Sequence, residues 1–277
     1  MAYKEILVLA DHTAAGRARV EFAARIAAQT GAELRAVFPV GEFLRFFGEA
    51  AGPAPESLAS DFNLKAPQGE GVPAVHRQAE EHFNAQLSKF KLAGKWLEVD
   101  GEIDRPLLSL ARMSDLVITS RAIVTPYGEN RLTADQLGLS CGGPVIVVPP
   151  EMAISAPVRR ILVAWADKRE AARALRDAWP LIETADEVAL VSVGEPLHAA
   201  KEALQERFDR HGKAVSIAEL AGSDRAAPDL ILDHAASCGA DLLVMGLCGH
   251  LRVQQWLLGG MTSEMFARCP LPLLASR

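Results

Sequence analysis

The chain repeats itself. Residues 6–9 (ILVL) return as 161–164 (ILVA), residues 31–37 (GAELRAV) as 185–191 (ADEVALV), residues 115–118 (DLVI) as 241–244 (DLLV), and residues 144–147 (PVIV) as 272–275 (PLLA). The offset is 155 residues from Ile6 to Ile161 but 126 from Asp115 to Asp241. The difference of 29 residues falls between the second and fourth apolar runs of the first copy, where a Pro/Gly-rich segment lies. A duplication followed by one insertion explains both offsets, so the two copies must share one architecture.

Within a copy, each short apolar run leads into a helical pattern rather than a hairpin turn. Residues 4–10 end at Asp11, His12 and Thr13, and Thr13 is placed to cap a helix over 14–30 that Gly31 closes. A strand over 33–40 follows, then a long helix over 74–92 with Phe83, Leu87 and Phe90 as its buried row. The first copy continues with a strand at 96–99, a helix at 104–113, a strand at 115–118, a short helix near 132–139 and a strand at 143–148. In the second copy the strand at 160–165 leads into a helix reaching about Thr184, with a kink at Pro180. Strand, helix, strand without a hairpin means parallel, right-handed crossovers. The expectation is an α/β fold: two tandem doubly wound, five-stranded parallel-sheet domains, at 1–150 and 158–277, each built of five strands and four helices. Their closing strands, 144–148 and 272–276, are expected to associate about a pseudo-twofold axis. In such sheets, ligands sit beyond the carboxyl ends of the strands where strand order reverses.

The insertion around 41–72 carries Phe43, Leu44, Phe46 and Phe47 and then Gly52, Pro53, Pro55, Pro67, Gly69 and Gly71. It reads as a short helix sealing one face, a subunit contact or a ligand lid. The net charge of -6 and a pI near 5.7 speak against nucleic-acid or anionic-membrane binding, which favour a basic face. No run reaches the length of a membrane span, and a cytoplasmic protein is expected. Cys141, Cys238, Cys248 and Cys269 form no CxxC pair and have no histidine at zinc spacing, so no metal site is expected.

The stretch with the clearest chemistry is Gly246-Leu247-Cys248-Gly249, followed after nine residues by Gly259, Gly260, Met261 and Thr262. It leaves an apolar strand and enters a helix. Bare N–H groups and the positive end of a helix dipole there suit an anion. Turn-shaping and helix packing are the alternative reason for those glycines.

In element order, duplication and this spacing, the chain resembles the universal stress protein family in its two-domain form. The nucleotide-binding members show G-x-x-G, nine residues, then G-S or G-T. The resemblance implies Rossmann-like domains and ATP, with Mg on its phosphates, held in the second half. Ala164 and Trp165 would line the base pocket, and Val193 would sit beside adenine. Met245, Gly246, Gly249, Gly259, Gly260, Met261 and Thr262 would frame ribose and phosphates, with His250 and Arg252 as further phosphate contacts. Two positions depart from the pattern. The acid ending the first strand is Ala166, leaving Asp167 one step along, and the motif's hydroxyl residue is Gly260. Each loss removes about 1–3 kcal/mol if it was a charged hydrogen bond. The first half has Asp11 at the acid's position but no glycine in 119–127. Gly128 and Gly138 stand nine residues apart, yet Thr125 occupies the motif's first position and Gly138 is close to Pro144.

No P-loop, G-x-S-x-G or helical histidine pair appears, and His12, His82, His211 and His234 read as turn, surface or packing residues. No catalytic residue is assigned. The expected function is regulatory ATP binding with little or no catalysis, slow hydrolysis remaining open. The alternative is a scaffold that binds another small ligand or a partner. The two halves would form an intrachain pseudo-dimer, and homodimerisation stays open.

Overall fold

The computed structural model describes residues 2–11, 13–39, 72–99, 104–121, 133–150, 157–194, 196–223, 225–247 and 260–277. The readings on His12, the 41–71 insertion, Gly128, Cys248, Gly249, His250, Arg252 and Gly259 lie outside the described residues. The first half comprises β1 (Glu5–Leu9), α1 (Ala14–Thr30), β2 (Glu33–Pro39), α2 (Val72–Phe90), β3 (Gly94–Val99), α3 (Asp104–Met113), β4 (Leu116–Ser120), α4 (Ala134–Ser140) and β5 (Val145–Val148). The second comprises β6 (Arg160–Ala164), α5 (Arg169–Asp177), α6 (Trp179–Ile182), β7 (Glu187–Val193) and α7 (Ala199–Arg210), then β8 (Ser216–Leu220), α8 (Ala227–Ser237), β9 (Leu242–Gly246), α9 (Gly260–Arg268) and β10 (Leu273–Ser276).

The strands read as unbroken apolar runs because both sheet faces are covered. In β1, Ile6 and Val8 enter the core beneath α1, α2, α5, α6 and α7, whereas Leu7 and Leu9 enter the core beneath α3, α4, α8 and α9. Local signals set the helix ends. Thr13 Oγ1 accepts the Gly16 N–H at 2.9 Å, and Gly31 closes α1 at a φ of 71°. The single helix expected up to Thr184 is two, α5 and α6. The chain breaks at Ala178, so Pro180 falls in the first turn of α6, where a missing N–H is no loss.

The two five-stranded units are one continuous ten-stranded sheet, in the order β3-β2-β1-β4-β5-β10-β9-β6-β7-β8. They meet through their closing strands, as the sequence suggested. β10 runs antiparallel to β5 with Leu273 opposite Val147, Leu274 opposite Ile146 and Ala275 opposite Val145, all buried. Every other pairing in the sheet is parallel. Side chains also bridge the seam: Tyr3 Oη donates to the Asp177 carbonyl, and Gln29 Nε2 donates to the Val158 carbonyl at 2.8 Å and to Thr184 Oγ1 at 2.6 Å. The duplicated aspartates have a duplicated task. Asp115 accepts the N–H groups of Lys4 and Glu5 at 2.7 and 3.0 Å, and Asp241 those of Arg159 and Arg160 at 3.1 and 2.9 Å. Each thereby ties the start of the first strand to the start of the fourth.

Candidate functional site

Strand order reverses between β6 and β9, the place where an open α/β sheet leaves a crevice. Ala164 and Met245 are register partners there, so Trp165, Ala166 and Asp167 leave the sheet beside Gly246 and Leu247. Val193 ends the neighbouring strand β7 and is half-buried. Gly260 opens α9, whose first turn carries the partly buried Met261 and the buried Thr262.

The expected residues play unequal parts. Ala164 and Met245 are buried on the face covered by α8 and α9. Trp165, expected to line a base pocket, points to the other face. Alternation continues from Ile161 and Val163, placing its ring in the core with Ala171, Ala174 and Trp179. Its indole N–H has no partner among the described residues. At the crevice this position offers main chain, not an aromatic wall. Asp167 is exposed. Gly246 has a packing reason for lacking a side chain: a Cβ there would stand 2.6 Å from Ala171 N and the Glu170 carbonyl carbon, and 2.9 Å from Glu170 Cβ. The first turn of α5 therefore rests on the end of β9.

That contact brings in a residue the sequence reading missed. Glu170 has a side chain only 15% exposed, and Arg169 Nε donates to its Oε1 at 2.7 Å. That bond, with the residue's own N–H and the nearby charges of Arg169 and Arg277, holds its carboxyl below the ordinary glutamate value against the opposing effect of burial. No motif marks the residue. Its only signal is its place one helical turn after Ala166.

The first half closes the matching corner with its own side chains. Arg19, 3% exposed, donates from Nε to the Leu9 carbonyl at 2.6 Å and pairs with Asp11 Oδ2 at 2.6 Å. Asp11 Oδ1 accepts both the N–H and the hydroxyl of Thr13, at 2.7 and 2.5 Å. Gly16 lets the carboxylate fold back, since a Cβ there would meet Asp11 Oδ1 at 2.1 Å. At the 155-residue offset the second half has Ala166, Lys168, Ala171 and Ala174 in these four places. At the 126-residue offset, α4 is the counterpart of α9, with Ser120, Ala134 and Gln136 standing where Gly246, Gly260 and Thr262 are. By this offset Gly138 is the counterpart of Glu264, not of the motif glycine Gly259. It lies inside α4, and a Cβ on it would stand 3.1 Å from the Leu247 side chain across the seam. Among the described residues no three His, Cys, Asp or Glu side chains gather as a metal site, and no helix is long and apolar enough to cross a membrane.

Residues 157–277, which contain this crevice, match the Universal stress protein family. The second half is a universal stress protein domain. Over nearly its whole length the chain shares the fold of a solved universal stress protein from Archaeoglobus fulgidus DSM 4304. The TM-score is 0.72 at 15% identity, covering 99% of this chain and 98% of that one. It is also similar to a putative universal stress protein from Pseudomonas aeruginosa UCBPP-PA14, with a TM-score of 0.61 at 17% identity, covering 99% and 93%. The likeness is one of fold, and it extends the universal stress architecture to the first half. No curated protein matches the sequence.

Proposed function

We propose that this chain is a cytoplasmic universal stress protein that binds one ATP, with Mg on its phosphates, in the crevice of its second half and acts by regulation rather than catalysis. The observation that carries the reading is the difference between the two halves at one corner of a duplicated fold. In the first, Arg19 and Thr13 take up the oxygens of Asp11. In the second, the matching Ala166 is exposed and Ala174 replaces the arginine, leaving that corner without the internal plug. The half-buried Val193 offers apolar surface for a base, and the start of α9 offers main-chain donors for phosphate. The sequence carries neither a P-loop nor a G-x-S-x-G motif, which favours a binding role over those chemistries.

Calorimetry with ATP on the wild type and on Gly249→Val tests the reading. One site in the wild type and a large loss in the variant support it. Equal heats in both, or none in either at millimolar ligand, favour a scaffold that presents a surface or takes another ligand.

A further inference from the structure

The carboxylate expected at the crevice was Asp167, but the side chain in contact with the glycine end of β9 is Glu170. We infer that Glu170 is the group that recognises the ribose hydroxyls of the nucleotide, an assignment that rests on the ATP reading above. The two copies support it by what each has and lacks. The first copy has Asp11 where the second has Ala166, and it has Ala15 where the second has Glu170. The second half thus carries its acid one helical turn farther on.

The state of the two carboxylates differs as well. Both oxygens of Asp11 are taken up by Thr13 and Arg19. Glu170 gives one oxygen to Arg169, leaving the other without a side-chain partner among the described residues. Its position is fixed by packing, because Gly246 leaves room for the Glu170 backbone and Cβ at the switch point, and any side chain at 246 would overlap them. An acceptor whose charge is balanced by an adjacent guanidinium can take hydrogen bonds from hydroxyls without strongly repelling phosphates nearby. Asp167 is exposed, and among the described residues no hydrogen bond or ion pair fixes its side chain.

The test compares ATP with 2′,3′-dideoxy-ATP by calorimetry on the full chain, for wild type, Glu170→Gln and Asp167→Asn. A hydrogen bond to a charged group predicts that the wild type prefers ATP by about tenfold or more. Glu170→Gln should bring the two ligands within about twofold, and Asp167→Asn should keep the wild-type preference. Glu170→Asp, which keeps the charge but draws the oxygens back by a methylene, should fall between and guards against a glutamine variant that does not fold. An unchanged preference in both Glu170 variants, or its loss in Asp167→Asn, overturns the assignment while ATP binding stands. A wild type that binds neither ligand overturns the nucleotide reading and this assignment together.

Discussion

Arg19→Ala should destabilise the protein far more than loss of a helix-surface arginine would. The guanidinium is buried, 2.6 Å from the Leu9 carbonyl and 2.6 Å from Asp11 Oδ2, and its removal strands a carboxylate whose side chain is only 13% exposed. Breaking a buried pair from one side costs about 3–5 kcal/mol. Asp11 keeps two hydrogen bonds from Thr13, so the lower end, about 3 kcal/mol, is expected. For a chain of this size that is a fall in melting temperature of roughly 6–12 °C at pH 7. The pH dependence has a definite sign. Burial pushes the Asp11 carboxyl up, but the Arg19 charge and the hydrogen bonds from Thr13 and Arg19 outweigh it and hold the carboxyl below its ordinary value of 3.8. A depressed folded value means the stabilisation is complete above the unfolded value and disappears as pH falls through the folded one. The gap between wild type and variant should therefore be full at neutral pH and narrow in acid. Adding Asp11→Asn to Arg19→Ala should recover part of the loss, because no charge is left stranded. Calorimetric melts of the three proteins between pH 3 and 7 decide it. A melting temperature for Arg19→Ala within about 2 °C of wild type at pH 7, or a double variant no better than the single one, would refute the reasoning.

Gly246→Ala should cost about 1–3 kcal/mol in urea titration, because the new methyl meets backbone atoms of α5 at 2.6 Å and the helix has to shift. It should also weaken ATP binding in calorimetry. Leu274→Ala, at the fully buried seam between β5 and β10, should cost about 2–5 kcal/mol and speed amide exchange in Val145–Val148. Tyr3→Phe removes only the hydroxyl bond to the Asp177 carbonyl, and a loss of about 1 kcal/mol in the same titration is expected.

The strands were legible because each is an apolar run sheltered on both faces, and the seam because both copies end in such a run. What the sequence hid depends on tertiary partners. Arg19 lies on a helix with Arg17 and Arg25, and composition alone assigns all three to solvent. It is buried because Asp11 and the Leu9 carbonyl, beyond the end of β1, offer it two acceptors. Trp165 follows a strand at a position where family resemblance suggests a base pocket, but period-two alternation turns its ring to the α5 face. Glu170 belongs to no motif, and its place is set by α5 settling on a glycine 76 residues later in the chain. The relation of α4 to α9 was obscured because matching glycines to glycines set Gly138 against Gly259, whereas the constant 126-residue offset leads from Gly259 to Thr133.

Native mass spectrometry of the full chain in the presence of ATP and Mg tests the central claim most directly, since it counts nucleotides on each protein molecule. One ATP per chain, retained by Arg19→Ala and lost in Gly249→Val, is the predicted result. No bound nucleotide at millimolar ATP, or two per chain, would contradict the account.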